Sequence, residues 1–183
     1  MKRSQIFIFL LTGSLLWSFP KVQFGPEISL AYQSPVGGNS FGQEMKATLG
    51  IRAGGVAKLK AIPLAVSLYS GYDKYNGKNK VTFTAIPLGL NARYFIGKSA
   101  IRPYGLAGIG LLFETLKFSG SKQSNTDGLY NLGGGVAYFL GNISLRSEAF
   151  YEIYTSFAKN YQGEIDAGQV VGLRFSAVYY FSK

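Results

Sequence analysis

At 183 residues the chain has room for one ordinary domain and a single core. Only 15% of residues are charged, another 15% are aromatic and 24 are glycine, a composition poor in charge and rich in glycine for a soluble domain. Cysteine and histidine are both absent, which excludes disulfides and thiolate sites and removes the commonest general base and transition-metal ligand.

The chain opens with Lys2 and Arg3, then an apolar stretch from Ile6 to Leu11 that continues through Leu15, Leu16 and Trp17. A short charged region followed by an apolar one is the order of an export signal. Thr12, Gly13 and Ser14 interrupt the run before it reaches the ~20 residues of a spanning helix. Residues 1–18 therefore read as a signal peptide and residues 22–181 as the mature domain. Removing Lys2 and Arg3 takes the formal charge from +10 to +8, which favours anionic neighbours. The basic residues do not cluster as a nucleic-acid patch would, so no nucleic-acid partner is expected.

Beyond Pro20 no window sustains a helical period. Period-two segments run Val22 to Tyr32, Met45 to Leu59, Leu64 to Tyr72, Thr82 to Ile96, Ile101 to Glu114, Tyr130 to Leu140, Ile143 to Ile153 and Val170 to Phe181. Nearly all reach the nine to eleven residues, roughly, that a tilted membrane strand needs. The connections alternate in length. "QSPVGGNSFGQ", "DKYNGKNK", "KFSGSKQSNTDG" and the stretch from Ser156 to Gly168 are long and polar, whereas those near "KAIP", "GKSA" and "GN" are short. An up-and-down barrel with an even strand number puts every long loop at one end, an alternation that Greek-key crossovers do not produce. The expected fold is therefore all-β: an eight-stranded antiparallel up-and-down transmembrane barrel.

One parity of these segments is apolar: Ile28 and Leu30, Leu64 and Leu68, Leu88 and Leu90, Ile109 and Leu111, Leu173 and Phe175. The other parity carries Glu27, Lys46, Arg52, Lys58, Arg93, Arg102, Glu114, Arg146, Glu148, Glu152 and Arg174. A soluble ligand-binding barrel would turn the charged parity to water, and such an exterior should be about 25–35% charged. Here that parity is mostly glycine, serine, alanine and aromatics, with Gly50, Gly89, Gly108 and Gly172 beside Tyr69, Phe95, Tyr104 and Phe150. Small residues next to large rings suit a cramped lumen, so the charges point inward as an ion-paired plug. Arg146 and Arg102 are expected near Glu148, Glu152 or Glu114, and seven cations against four anions leave an excess of three positive charges. Pro87 falls inside the fourth segment, where a bulge or a locally broken ladder is expected. Gly133 to Gly135 is not a phosphate loop, because no lysine follows it and no helix opens there.

"AIPLGLNARYFIG" (Ala85 to Gly97), "RPYGLAGIGLLF" (Arg102 to Phe113) and "VVGLRFSAVYYF" (Val170 to Phe181) together resemble strands of the small eight-stranded outer-membrane barrels, the OmpA/OmpX-like group. The likeness extends over the whole mature chain and is to an architecture rather than to one activity. It implies a bacterial outer-membrane location and a C-terminal assembly signal, here Phe175, Tyr179 and Phe181, read by the barrel-assembly machinery. Ser182 and Lys183 follow that last aromatic.

The function expected is that of a non-enzymatic integral barrel, a monomer acting in envelope integrity or surface interaction through its four longer loops. Lys74, Lys78, Lys80, Lys117, Lys122 and Lys159 sit in or beside those loops, among Asp73, Asp127, Glu164 and Asp166. They suit outer-membrane lipid and lipopolysaccharide-type anions, or an extracellular polyanion or host ligand. A narrow, anion-leaning or small-solute pore is the alternative that the positive lumen suggests. A lipid-modifying enzyme is disfavoured: related acyl chemistry uses a histidine beside a serine, and Glu148 or Glu152 alone would activate a serine poorly. No catalytic residue, cofactor or metal is expected.

Overall fold

The computed structural model describes residues 22–37, 40–78, 81–118, 120–157 and 166–181; the expected signal peptide lies outside them. The described residues form β1 (Val22–Val36), α1 (Ser40–Glu44), β2 (Thr48–Leu59), β3 (Leu64–Asn76), β4 (Thr82–Phe95), β5 (Ile101–Phe118), β6 (Ser121–Leu140), β7 (Ile143–Phe157) and β8 (Asp166–Tyr179). Each strand pairs antiparallel with the next, and β8 returns to β1 to close the barrel. The amide of Phe181 donates to the carbonyl of Phe24 at 2.8 Å, extending that seam past the last strand residue.

The alternation predicted from sequence sets the two faces. Ile28, Leu30, Leu68, Leu90, Ile109, Leu132 and Leu173 stand exposed on the outside, while Arg93, Arg174, Glu148 and Gln33 are fully buried. Closure supplies the reason such a surface is stable in hydrocarbon: every strand has a neighbour on both sides, so no unpaired edge meets lipid. Among the described residues no helix is long and apolar enough to cross a membrane; the chain crosses with strands.

At one end the connections are short, 60–63, 96–100 and 141–142. Gly141 has φ +57 in the two-residue turn joining β6 to β7, the left-handed conformation that tight hairpins require. At this end the predicted segment boundaries agree closely with the strands. At the other end the strands outrun them. "KFSGSKQSNTDG" was expected as a loop; instead β5 continues to Phe118 and β6 starts at Ser121, with Lys117 paired opposite Lys122. β3 likewise runs through Asp73 to Asn76. Met45 to Ala47 do not belong to β2, because the chain leaves the sheet for α1, and Met45 bridges to Gly77 instead.

Pro87 gives a locally broken ladder without a bulge. β4 is continuous, and its pairing with β3 holds one register from Ser70↔Leu88 to Asp73↔Ala85, skipping the two rungs between. On the other side Pro87 pairs opposite Leu112 of β5 without interruption. The missing amide therefore falls on the β3 side.

The lumen is stacked in three layers. Phe41, Met45, Tyr75, Phe83, Leu116 and Tyr154 cluster at the long-loop end. Phe95, Tyr104, Leu106, Val178 and Tyr180, with Phe139 packed against them, cluster at the short-turn end. Between them lie the buried arginines and carboxylates.

Candidate functional site

The middle layer is built by inward positions on six strands. Asp73 of β3 receives the Arg52 guanidinium of β2 in two bonds of 2.5 and 2.7 Å, the bidentate geometry that arginine and carboxylate share. The other side of Arg52 lies 3.9 Å from Glu152 of β7. Arg174 of β8 donates to Glu152 at 2.8 Å and to Glu148 at 2.6 Å. Arg93 of β4 reaches across the lumen to Glu148 at 3.2 Å and to Glu27 of β1 at 3.1 Å, and donates to Ser67 at 2.8 Å. Arg146 of β7 completes the series, 3.3 Å from Glu27 and 2.5 Å from the Tyr180 hydroxyl.

Read in order, Asp73, Arg52, Glu152, Arg174, Glu148, Arg93, Glu27 and Arg146 alternate acid and base: four carboxylates, four arginines and no net charge. Neutral hydrogen bonds extend it at the Asp73 end and brace it at Glu148. Gln33 donates to Asp73 at 2.6 Å and accepts from Tyr75 at 3.1 Å, and Tyr104 donates to Glu148 at 2.8 Å.

This arrangement corrects the expected surplus of positive charge. Lys46 is exposed and lies outside the strands, so it does not reach the lumen. Arg102 is half-buried at the short-turn mouth, where it donates to the carbonyls of Ser99 at 2.7 Å and Lys98 at 3.3 Å and stacks on Phe139, meeting none of the three glutamates expected beside it. Lys58 is half-buried over the rings of Phe139 and Tyr180 at the same mouth. Glu114 is buried near the long-loop end, on the rung of Ala85 and Asp73. Asp73 and Asp127, both assigned to loops from sequence, are buried on inward parity. Their strand parity would have revealed them had the third segment been extended by one residue and the sixth begun earlier.

Inward glycines make room for the large groups. A side chain at Gly89 would meet the Tyr69 ring at 2.8 Å, and one at Gly172 would meet the Phe150 ring that Arg174 stacks upon at 4.3 Å. Among the described residues a void of about 10 Å³ lies between Glu27, Ser29, Arg52, Tyr69, Asn91 and Arg93, space for about a single water. Above the ionic layer, α1 folds into the mouth and buries Phe41 edge-on to Tyr75 and Phe83 at 5.5 Å and to Tyr154 at 6.0 Å. The lumen is thus closed twice, by rings and by ion pairs.

On the outside, Phe175, Tyr179 and Phe181 are exposed, the last two in edge-on contact at 5.8 Å. Lys74, Lys117 and Lys122 are exposed on the strand extensions rather than in loops, and Lys78 is exposed just beyond β3. Lys80 and Lys159 lie outside the described residues.

A closed eight-stranded cylinder with aliphatic side chains outward and paired charges along its axis is a transmembrane β-barrel of the outer-membrane kind. Residues 11–181 match the family of outer membrane protein beta-barrel domains, and the chain belongs to that family. It is a bacterial outer-membrane protein that spans the membrane with its strands. No curated protein sequence matches it. Among solved structures it is similar to Neisserial surface protein A, with 16% identity, coverage of 87% of this chain and 97% of that one, and a TM-score of 0.63. It is similar to Ail, the attachment invasion locus protein of Yersinia pestis, at 15% identity over 88% and 99% of the two chains, TM-score 0.57. The outer membrane enzyme PagL is similar too, at 16% identity over 82% and 97%, TM-score 0.55. At such identities the likeness is one of fold.

Proposed function

We propose that this barrel is non-catalytic and works through its outer surface, in envelope integrity or surface contact, rather than through its lumen. The observation that carries this reading is the doubly closed interior: the void in the ionic layer among the described residues is about 10 Å³, far below the ~300 Å³ and upward of ordinary ligand pockets. The lumenal carboxylates support it as well, since both oxygens of Glu148 are taken up by Arg93, Arg174 and Tyr104 rather than turned to a substrate. The sequence has no histidine to activate a serine, and among the described residues no acidic cluster has the make-up of a metal site. By the rule that outer-membrane barrels keep short turns on the periplasmic side, the long-loop end with α1 and the strand extensions faces outward from the cell.

The fold is shared by an attachment invasion protein and an enzyme, so the distinction needs experiment. Three measurements test it. Purified protein inserted in planar bilayers should show no unitary current steps, and incubated with lipid A it should release no fatty acid. A strain lacking the gene should become more sensitive to detergent or lose surface attachment, and expression of the full chain should restore what was lost. Steady unitary currents, or fatty-acid release, would overturn the reading.

A further inference from the structure

Four neighbouring strands carry a second arrangement on their lipid side, separate from the lumen. Registers place Lys74, Thr84, Thr115 and Ser124 side by side on one outward rung across β3 to β6. The next rung toward the long-loop end holds Asn76, Thr82, Lys117 and Lys122. Three lysines and a row of hydroxyls thus share one face, and no carboxylate stands on these two rungs. Lys117 and Lys122 face each other directly across the β5–β6 hairpin, a like-charge pairing that destabilises a sheet unless an anion lies against it. Thr115 and Ser124 are joined hydroxyl to hydroxyl at 3.1 Å, and the hydroxyl that accepts keeps its own hydrogen to donate to a further partner.

Directly below this polar patch the outer wall is concave. A hollow of about 300 Å³ is lined by Thr84, Ile86, Phe113, Thr115, Ser124 and Thr126 together with Asn125 and the lumen-facing Glu114. Below it lies a second hollow of about 470 Å³ among Leu68, Leu88, Leu90, Ile109, Leu111 and Tyr130. The two are neighbours on the wall, because Ile86↔Phe113↔Thr126 and Leu88↔Leu111↔Gly128 are successive outward rungs.

The dimensions fit one leaflet. Each outward rung is two residues, about 6.7 Å along a strand, or roughly 5 Å of membrane depth at a tilt near 40°. From the Lys74–Ser124 rung to the Leu90–Ile109–Tyr130 rung is three steps, hence roughly 15 Å, half of a ~30 Å hydrocarbon core. A cationic, hydroxyl-rich patch at headgroup depth stands over an apolar hollow at acyl depth.

Building on the reading that the barrel acts through its outer surface, we infer that this face of β3–β6 is a specific site for one phosphate-bearing glycolipid of the outer leaflet, of the lipid A type. Its phosphate lies between Lys74, Lys117 and Lys122 on the Thr–Ser row, and an acyl chain fills the hollow beneath. The apolar hollow beneath the patch selects a lipid over a soluble polyanion, which would use the patch alone.

Native mass spectrometry of the full chain, released from detergent in the presence of lipid A or dephosphorylated lipid A, tests this. One tightly retained lipid A per barrel is expected, with about tenfold or more weaker retention of the dephosphorylated form. The triple variant Lys74→Gln, Lys117→Gln and Lys122→Gln should lose the same preference. Leu111→Trp, which fills the hollow from an outward position, should weaken lipid retention while leaving binding of inorganic polyphosphate unchanged. Heat-modifiable gel mobility checks that each variant is folded. Equal retention of both lipids by the wild type, or an unchanged preference in the triple variant, overturns the site. So does polyphosphate binding accompanied by no effect of Leu111→Trp on lipid, which would make the patch a polyanion surface. These outcomes leave the surface-function reading standing if deletion of the gene still produces its envelope phenotype, so the two fail separately.

Discussion

Asp73 shows how a single lumenal group is committed. Its carboxylate holds Arg52 in two bonds and Gln33 in a third while fully buried. Asp73→Asn removes that charge and leaves Arg52 with only the 3.9 Å approach to Glu152, itself already held by Arg174. Breaking a buried pair from one side costs about 3–5 kcal/mol, because the surviving ion stays desolvated, whereas replacing both partners by apolar groups is often close to neutral. Asp73→Asn is therefore expected to lower unfolding free energy by about that amount in urea titrations in lipid vesicles, and Arg52→Met with Asp73→Leu to recover most of it. Lys58, half-buried over two rings at the mouth, sets the contrast: Lys58→Met should change stability by less than about 1 kcal/mol. Strand parity made most of these charges legible in the sequence, since eight of the eleven inward candidates are fully buried. Lys46 misled because parity was carried back across residues where the chain has already left the sheet for α1. Asp73 escaped because its neighbours Lys74 and Asn76 look like a loop.

The same physics explains why whole elements were cut short at one end only. Within the bilayer one face of each strand must be apolar, so alternation is strong; above it both faces are wet and the period fades, although backbone pairing continues. The β5–β6 hairpin is paired rung by rung up to Phe118 and Ser121, in a stretch whose sequence reads as a polar loop. Pro87 marks the opposite case, an irregularity visible in sequence, with its form decided by packing. β4 keeps its register and gives up two rungs to β3 instead of bulging. Pro87→Ala restores one donor, worth about 0.5–1.5 kcal/mol net, but frees the unfolded chain by about 0.4–1 kcal/mol. The two effects nearly cancel, so stability should shift by less than about 1 kcal/mol while amide exchange slows locally. Hydrogen exchange with peptide-level readout over residues 70–74 and 84–88 distinguishes this; unchanged protection there would mean the gap has another cause.

For the molecule as a whole, the ionic layer and the aromatic cap are barriers in series. Phe41 closes the long-loop end against Tyr75, Phe83 and Tyr154, and below it the arginine–carboxylate chain leaves room for about one water. Removing the cap alone exposes the ion pairs without parting them, so Phe41→Ala should remain silent in planar bilayers. Adding Arg93→Ala and Arg174→Ala removes two of the four paired cations and leaves Arg52 and Arg146 against Asp73, Glu27, Glu148 and Glu152. The sign of the axis then turns negative, and any unpaired carboxylate draws in water because burial without a partner is costly. The triple variant, shown to be folded by its heat-modifiable mobility, should conduct in small steps and prefer cations. That preference is opposite to the one a positively charged lumen would give, so its sign tests the balanced charge chain directly. Current through Phe41→Ala alone would mean that the ion pairs are no barrier, and an anion preference in the triple variant would mean that the four carboxylates are not the charges lining the path.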